Sequence, residues 1–451
     1  MRTFKTQFTI ALIFFIGFLN LQSIAQQKIQ LIIENSKPEL YYLNSIKGER
    51  IIGIDSAFCK NDTVIFKNKN CWPKGMYFIQ NNYQGVIVLL NEGIVKLATV
   101  YPSIEDSLKI IESEENKIWN QYLLEKQSSF QNLDIINPII TLYDKNTKLY
   151  KIALNEFTKV QDDFFNYTQS IDNQSLAFQY IQADIKPKLP PLLSLEEQGV
   201  YFKNHWFDAV DWNNDELINS NILTTKITEY LGLYANNRMS KGQAQEEFKR
   251  ATDQILPLTF DNPEMYAFIM DYLVRGFERY DMEEVILHIA LNYIPPNEKC
   301  ENDDLDTEAL KRLKNYEKLS IGKLAPELKL VDLNGDSIYL SKTKSKRTLL
   351  IFWASWCPHC MQMIPELDKW NQQMDDKEWS MISISIDTNL EEILKVKNEL
   401  NLHLPISCDL KGWDGKAVED YNIYATPTMI VIDSDGKIIG KPSSIKQLQD
   451  Y

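Results

Sequence analysis

A chain of 451 residues is too long for one hydrophobic core, and its length suggests roughly two to four domains. Hydrophobic residues make up 44% and aromatic residues 11% of it, ample material to fold them. The formal charge of -14, with no basic block along the chain, excludes nucleic acid as a partner, because that binding runs on concentrated Lys and Arg.

Residues 1–25 read as an export signal: Arg2 and Lys5 form a positive start, 10–19 an apolar stretch, and Ser23 and Ala25 the small residues of a cleavage site. Cleavage is expected after Ala25, which places the mature protein in the periplasm. The apolar stretch falls short of the roughly 20 residues that a membrane span needs, and nothing comparable follows, so no transmembrane segment is expected in the mature chain. An uncleaved N-terminal anchor is the alternative. Export bears on the six cysteines, because a disulfide persists in an oxidising compartment. Cys357 and Cys360 are the strong pair. Cys59 and Cys71 flank a strand turn and fit either a structural bridge or two buried thiols, while Cys300 and Cys408 have no evident partner.

Between residues 28 and 100 the chain is strand-like. Runs at 29–34, 63–66, 76–80 and 85–90 are separated by Asn, Lys, Pro and Gly clusters, the punctuation of a small antiparallel sheet. This predicts a β domain over 26–102 with a packing or docking role. Helical spacing then takes over, in Leu108, Ile111, Ile118, Tyr122 and Leu123 and again in Leu217, Ile222, Ile227 and Leu231. Pro187, Pro190, Pro191, Pro257, Pro263, Pro295 and Pro296 mark helix boundaries, giving an irregular all-α domain over 103–318. Phe164, Phe165, Trp206 and Phe207 read as core. His205 and His288 read as isolated histidines with no carboxylate or cysteine at ligand spacing, so neither metal nor cofactor is expected. The acidic stretch 297–307 with Cys300 reads as a loop, and the cleanest boundary lies near Ser320.

Residues 319–451 follow a legible order. A hairpin over 328–331 and 337–340 turns at Asn334-Gly335; a buried strand at 349–353 runs into a helix over 361–370. Next come a strand at 381–386, a helix at 390–400, a short strand at 404–407, a hairpin of 428–432 with 437–439, and a last helix near 445–449. Strands alternating with helices before a terminal hairpin imply a mixed sheet covered on both faces.

Trp356-Cys357-Pro358-His359-Cys360 stands where the buried strand meets its helix. A helix N-terminus lowers a thiol's pKa, and the thiolate is the nucleophile of disulfide exchange. Cys357 occupies that place; Cys360, one turn on, would resolve the mixed disulfide, and the two together would form a redox-active disulfide. A zinc site would need a second ligand pair that the sequence lacks. Pro358 suits the first helical turn, where a missing N–H is no loss. His359, when protonated, would stabilise a neighbouring thiolate.

Residues 320–451 resemble the thioredoxin fold, in particular the exported TlpA/ResA-like thiol-disulfide oxidoreductases. The resemblance rests on Gly322-Lys323-Leu324-Ala325-Pro326, on Phe352 to Cys360, and on Ala425-Thr426-Pro427-Thr428. It covers less than a third of the chain. The whole arrangement is similar to Bacteroidetes-type exported multidomain proteins, an analogy at fold level. The resemblance implies a cis Thr426–Pro427 bond beside the sulfurs, with Thr426 exposing backbone to an extended substrate, and Trp356 packing beside the nucleophile above Trp353. It also implies protein thiol or disulfide substrates and an upstream electron donor or acceptor, which could be membrane-bound. One position departs from the pattern: Ile351 stands where many thioredoxins bury an aspartate, leaving Asp387 and Glu366 as candidate acids for Cys360.

The expected function is therefore exported thiol-disulfide exchange with protein substrates. Two alternatives are a partner-binding protein with a regulatory redox domain, and a peroxiredoxin-like peroxidase. The peroxidase would need Thr or Ser three residues before the nucleophile, where Ala354 stands.

Overall fold

The computed structural model describes residues 27–451 apart from 70, 83, 191, 237, 294–307 and 449–450. The expected export signal and the loop carrying Cys300 lie outside the described residues. The described residues form two compact units, the first ending at Ile227 and the second beginning at Thr228.

The first unit opens with β1 (Gln27–Glu34), β2 (Leu40–Lys47), β3 (Arg50–Phe58), β4 (Thr63–Asn68), β5 (Gly75–Gln80), β6 (Gly85–Leu90), β7 (Ile94–Val100) and β8 (Lys109–Glu112). They form two four-stranded sheets ordered β4-β1-β7-β8 and β3-β2-β5-β6. Every pairing is antiparallel except β1 with β7. Alternation fixes which face is buried: Ile29, Leu31 and Ile33 of β1 share a core with Leu43, Ile79, Val88 and Leu97. The helical spacing read from Leu108 and Ile111 is corrected here. Ile111 lies in β8, and the helix starts only after Ser113, whose side chain accepts from the Asn116 N–H.

Helices α1 (Glu114–Leu142), α2 (Lys148–Gln169), α3 (Leu176–Asp184), α4 (Leu195–His205) and α5 (Ile222–Gly232) follow. Leu217 belongs to a separate 3₁₀ turn, Asp215–Asn219, so the second run of helical spacing spans two elements. His205 is not isolated either: its Nδ1 lies 2.7 Å from Asp208 Oδ2. Cys59 and Cys71 are not bonded to each other; Cys59 is buried, its thiol donating to Ser36 Oγ at 3.4 Å, and Cys71 is exposed.

The second unit carries α6 (Lys241–Ile255), α7 (Pro263–Arg279), α8 (Glu283–Tyr293) and α9 (Glu308–Lys318). His288 on α8 lies 2.6 Å from Asp253 Oδ1, so it too has a carboxylate partner that sequence spacing did not reveal. Among the described residues no cluster could hold a metal ion, and no helix is long and apolar enough to cross a membrane.

The remainder is a thioredoxin-like layer structure: β9 (Lys329–Val331), β10 (Ser337–Tyr339), β11 (Arg347–Trp353), α10 (Pro358–Gln373), β12 (Trp379–Ser385), α11 (Leu390–Glu399), β13 (Ile406–Ser407), α12 (Lys416–Asp420), β14 (Thr428–Asp433), β15 (Ile438–Gly440) and α13 (Ile445–Leu448). The central sheet is ordered β13-β12-β11-β14-β15, with β11 parallel to β12 and antiparallel to β14. Leu349, Leu350, Ile351, Phe352 and Trp353 are all fully buried, as a central strand covered on both faces requires. Truncating one of them, Leu350→Ala, would cost about 2–5 kcal/mol.

Candidate functional site

The apolar run of β11 ends at Trp353, whose indole N–H donates to Ser383 Oγ at 2.8 Å beneath the motif. A turn follows, closed by the Cys357 N–H on the Ala354 carbonyl at 3.2 Å, and α10 begins at Pro358. Cys357 has extended backbone and takes the capping position usually held by Ser, Thr, Asp or Asn. Its sulfur accepts the Cys360 N–H at 3.2 Å. Its own proton points to the Thr426 carbonyl at 3.3 Å. The Thr426–Pro427 bond is cis. Strand order brings these pieces together, because β14, which follows Pro427, pairs directly with β11.

Both cysteines are thiols; Cys357 is 5% exposed and Cys360 is fully buried. Burial is the largest influence on Cys357 and raises its pKa. It is outweighed by hydrogen bonds from the side chains of Cys360 and Thr426 and from the N–H groups of Cys360 and His359, so the thiol ends below its ordinary value of 9.0. Cys360 moves the other way. Burial first, and then sharing its proton with Cys357, push it up to about 12. One sulfur is thus prepared to ionise and its neighbour to hold a proton.

The surrounding residues separate by exposure. Trp356 is 54% exposed and stacks against Trp413, itself 44% exposed, with ring centroids 6.2 Å apart at 55°. Pro358 and His359 are exposed at the start of α10, and the main-chain N–H of His359 contributes to lowering the Cys357 pKa. Ala425, Pro427 and Thr428 border a cleft of about 670 Å³ that Tyr316, Tyr424 and Arg279 also line.

The two candidate acids for Cys360 do not serve it. Glu366 lies on the exposed side of α10, and Asp387, though fully buried, turns its carboxylate to Ser355 and Ser385. Ile351 is buried and apolar under the motif. Cys408 is half-buried, its thiol donating to the Asp387 carbonyl at 3.3 Å. Trp413 escaped the sequence reading; the available signal was an indole among Lys411, Asp414 and Lys416, far from any apolar run.

Residues 321–441 match the AhpC/TSA family. The thiol-disulfide oxidoreductase ResA of Bacillus thuringiensis subsp. konkukian is 33% identical over 141 residues, 30% of this chain and 78% of that protein. The thioredoxin-like protein YneN of Bacillus subtilis is 31% identical over 120 residues, 26% of this chain and 68% of the relative. Among solved structures, the thioredoxin domain of a thiol-disulfide oxidoreductase from Bacteroides vulgatus is 29% identical, covering 29% of this chain and 94% of its own, with a TM-score of 0.28. A peroxidase is not favoured, since buried Ala354 offers no hydroxyl three residues before Cys357. Through its C-terminal residues the chain belongs to the ResA-like thiol-disulfide oxidoreductases of the thioredoxin fold.

Proposed function

We propose that this enzyme is exported to the periplasm and exchanges disulfides with protein substrates, with Cys357 as nucleophile and Cys360 as resolving thiol. The observation that carries the reading is the Cys357 sulfur at the N-terminus of α10, accepting the Cys360 N–H at 3.2 Å, with Cys357 below its ordinary pKa and Cys360 above. In the reducing direction the Cys357 thiolate attacks a substrate disulfide, forming a mixed disulfide and releasing one substrate thiolate. Cys360 then loses its proton and attacks Cys357, forming the Cys357–Cys360 disulfide and releasing the second substrate thiol. Two electrons pass to the substrate. An upstream donor returns them, or an acceptor removes them when the cycle runs in reverse.

Trp356, Pro358, His359, Thr426 and Pro427 act as supporting or substrate-binding residues. The exposed indoles of Trp356 and Trp413 and the cleft beside Pro427 offer a polypeptide more surface than a small thiol would use. A redox domain at 319–451 would follow a β domain, read at 26–102 and carried on to Glu112 by β8, and a helical domain that begins after Ser113 and runs to 318. Export rests on Arg2, Lys5, the apolar stretch 10–19 and Ala25; a mature N-terminus other than Gln26, read by mass spectrometry, would count against it.

The direct test uses two variants. Cys357→Ser should abolish insulin reduction, and Cys360→Ser should accumulate mixed disulfides visible on non-reducing gels. Unchanged turnover in either variant refutes the assignment. The reduction potential sets the direction: a value near thioredoxin's, about -270 mV, marks a reductase, and one near DsbA's, about -120 mV, an oxidase or isomerase.

A further inference from the structure

We propose that Asp387 is a positioning residue for the redox turn, holding Ser355 so that the Cys357 sulfur meets the Cys360 N–H. The proposal rests on the thiol roles given above, and it concerns a group outside the exchange steps.

Asp387 stands just past β12 and is fully buried. Its Oδ1 accepts from the Ser355 hydroxyl at 2.6 Å and the Ser355 N–H at 3.2 Å. Its Oδ2 accepts from the same N–H at 3.0 Å and from the Ser385 hydroxyl at 2.6 Å. A carboxylate removed from water is tolerated only when charge-assisted hydrogen bonds replace its hydration. Two of its three donors belong to Ser355, two residues before the nucleophile.

The carboxylate has a rigid base. The Ile386 N–H donates to the Trp353 carbonyl at 2.9 Å, extending the β11–β12 ladder to the residue before Asp387, and the Asp387 N–H donates to Ser385 Oγ at 3.1 Å. The acid is therefore fixed to the strand from which the redox turn departs. The turn itself is closed by one main-chain bond, Cys357 N–H to Ala354 O. The Cys360 N–H contact to the sulfur, at 3.2 Å, is directional and is lost to a small displacement of that turn. Asp387 touches neither sulfur, so its influence passes through the placement of Ser355.

The test uses the full chain with Asp387→Asn, Ser355→Ala and the two combined. Asparagine keeps one accepting oxygen but cannot accept the Ser355 N–H with its amide nitrogen. Asp387→Asn should raise the midpoint of Cys357 thiolate formation, followed at 240 nm, toward the ordinary value of 9.0. It should also slow iodoacetamide alkylation at pH 7 by about threefold or more, because a smaller thiolate fraction is only partly offset by each thiolate's greater nucleophilicity. Ser355→Ala retains the N–H contact and should show a smaller change of the same sign. The combined variant should be no worse than Asp387→Asn alone, since both act through one contact set. The proposal is overturned by an Asp387→Asn protein that melts earlier but keeps the native midpoint and alkylation rate, or by strictly additive effects of the two substitutions. Should Asp387→Asn fail to fold, an unchanged midpoint in Ser355→Ala overturns it alone.

Discussion

Two helix N-termini in this molecule meet the same physical demand in opposite ways. At the start of α3 the buried N–H groups of Leu176 and Ala177 are taken by buried Glu115, whose oxygens lie 3.0 and 2.7 Å away. At the start of α10 the Cys360 N–H is taken by the Cys357 sulfur. A helix N-terminus stabilises an anion in either place. Glu115 is an acceptor on a neighbouring helix, and it also accepts from Asn91 Nδ2 at 2.6 Å, so the gain goes into holding α1 to α3. Cys357 is an anion only when it ionises, so the same gain appears as acidity and nucleophilicity. Stability is invested in one end and reactivity in the other.

Exchanging the two kinds of loss is the sharpest test. Cys357→Ser should remove disulfide exchange entirely while leaving the thermal midpoint nearly unchanged. Glu115→Ala should do the reverse, costing about 2–3 kcal/mol because buried N–H groups are left without acceptors, with exchange per folded molecule intact. Denaturant melts and insulin reduction on both proteins would show it; a Glu115→Ala chain that folds normally would break the comparison.

The next effect concerns pH. Cys357 lies below its ordinary value, so exchange should fall as pH drops through that lowered pKa, at a lower pH than for an unperturbed thiol. Cys360→Ala removes one of the donors to the Cys357 sulfur and should move this fall to higher pH, measurable by alkylation against pH. For stability the signs differ. Raised Cys360 contributes stability that is complete below the unfolded thiol value near 9.0 and is lost as pH rises toward about 12. Lowered Cys357 contributes stability present above that unfolded value and lost as pH falls through its folded pKa. Cys360→Ala should therefore flatten the alkaline loss and also shrink the acid-side loss, because it removes a donor that lowers Cys357.

Legibility in the sequence followed distance along the chain. The dithiol could be read because both sulfurs lie within one helical turn after an apolar strand, and the Pro427 loop because its motif is short. Asp387 was assigned to Cys360 instead of Ser355, and Trp413 was not placed, because both reach the redox turn through strand order: β12 brings Asp387 beside Ser355, and the turn after β13 carries Trp413 to Trp356. In the first unit β3 carries Ile51, Ile52, Ile54 and Phe58 all exposed. A strand with no buried face lacks the alternation that marks one. Ile111 misled for the opposite reason, since three-residue spacing from Leu108 imitates a helix across a turn and a strand.

Trp413→Ala should weaken substrate capture without touching the thiols: KM for a protein disulfide should rise about three- to tenfold, the loss of one partly buried aromatic contact, while turnover of a small disulfide stays unchanged. An equal loss with both substrates would mean that Trp413 supports the redox turn rather than the substrate.

The smallest expected effect is at His359, and it separates main chain from side chain at the reactive helix end. Its N–H contributes to lowering the Cys357 pKa, whereas its ring is exposed to water, where a charge is screened. If the N-terminus of α10 acts on Cys357 as that of α3 acts on Glu115, through backbone N–H groups, then His359→Ala should change alkylation at pH 7 by less than about twofold, within what an exposed charge at a helix end supplies. His359→Pro removes the N–H itself and should have the larger effect of the two. A strong, salt-sensitive loss in His359→Ala would instead assign the acidity of Cys357 to the imidazolium, and the likeness between the two helix ends would fail.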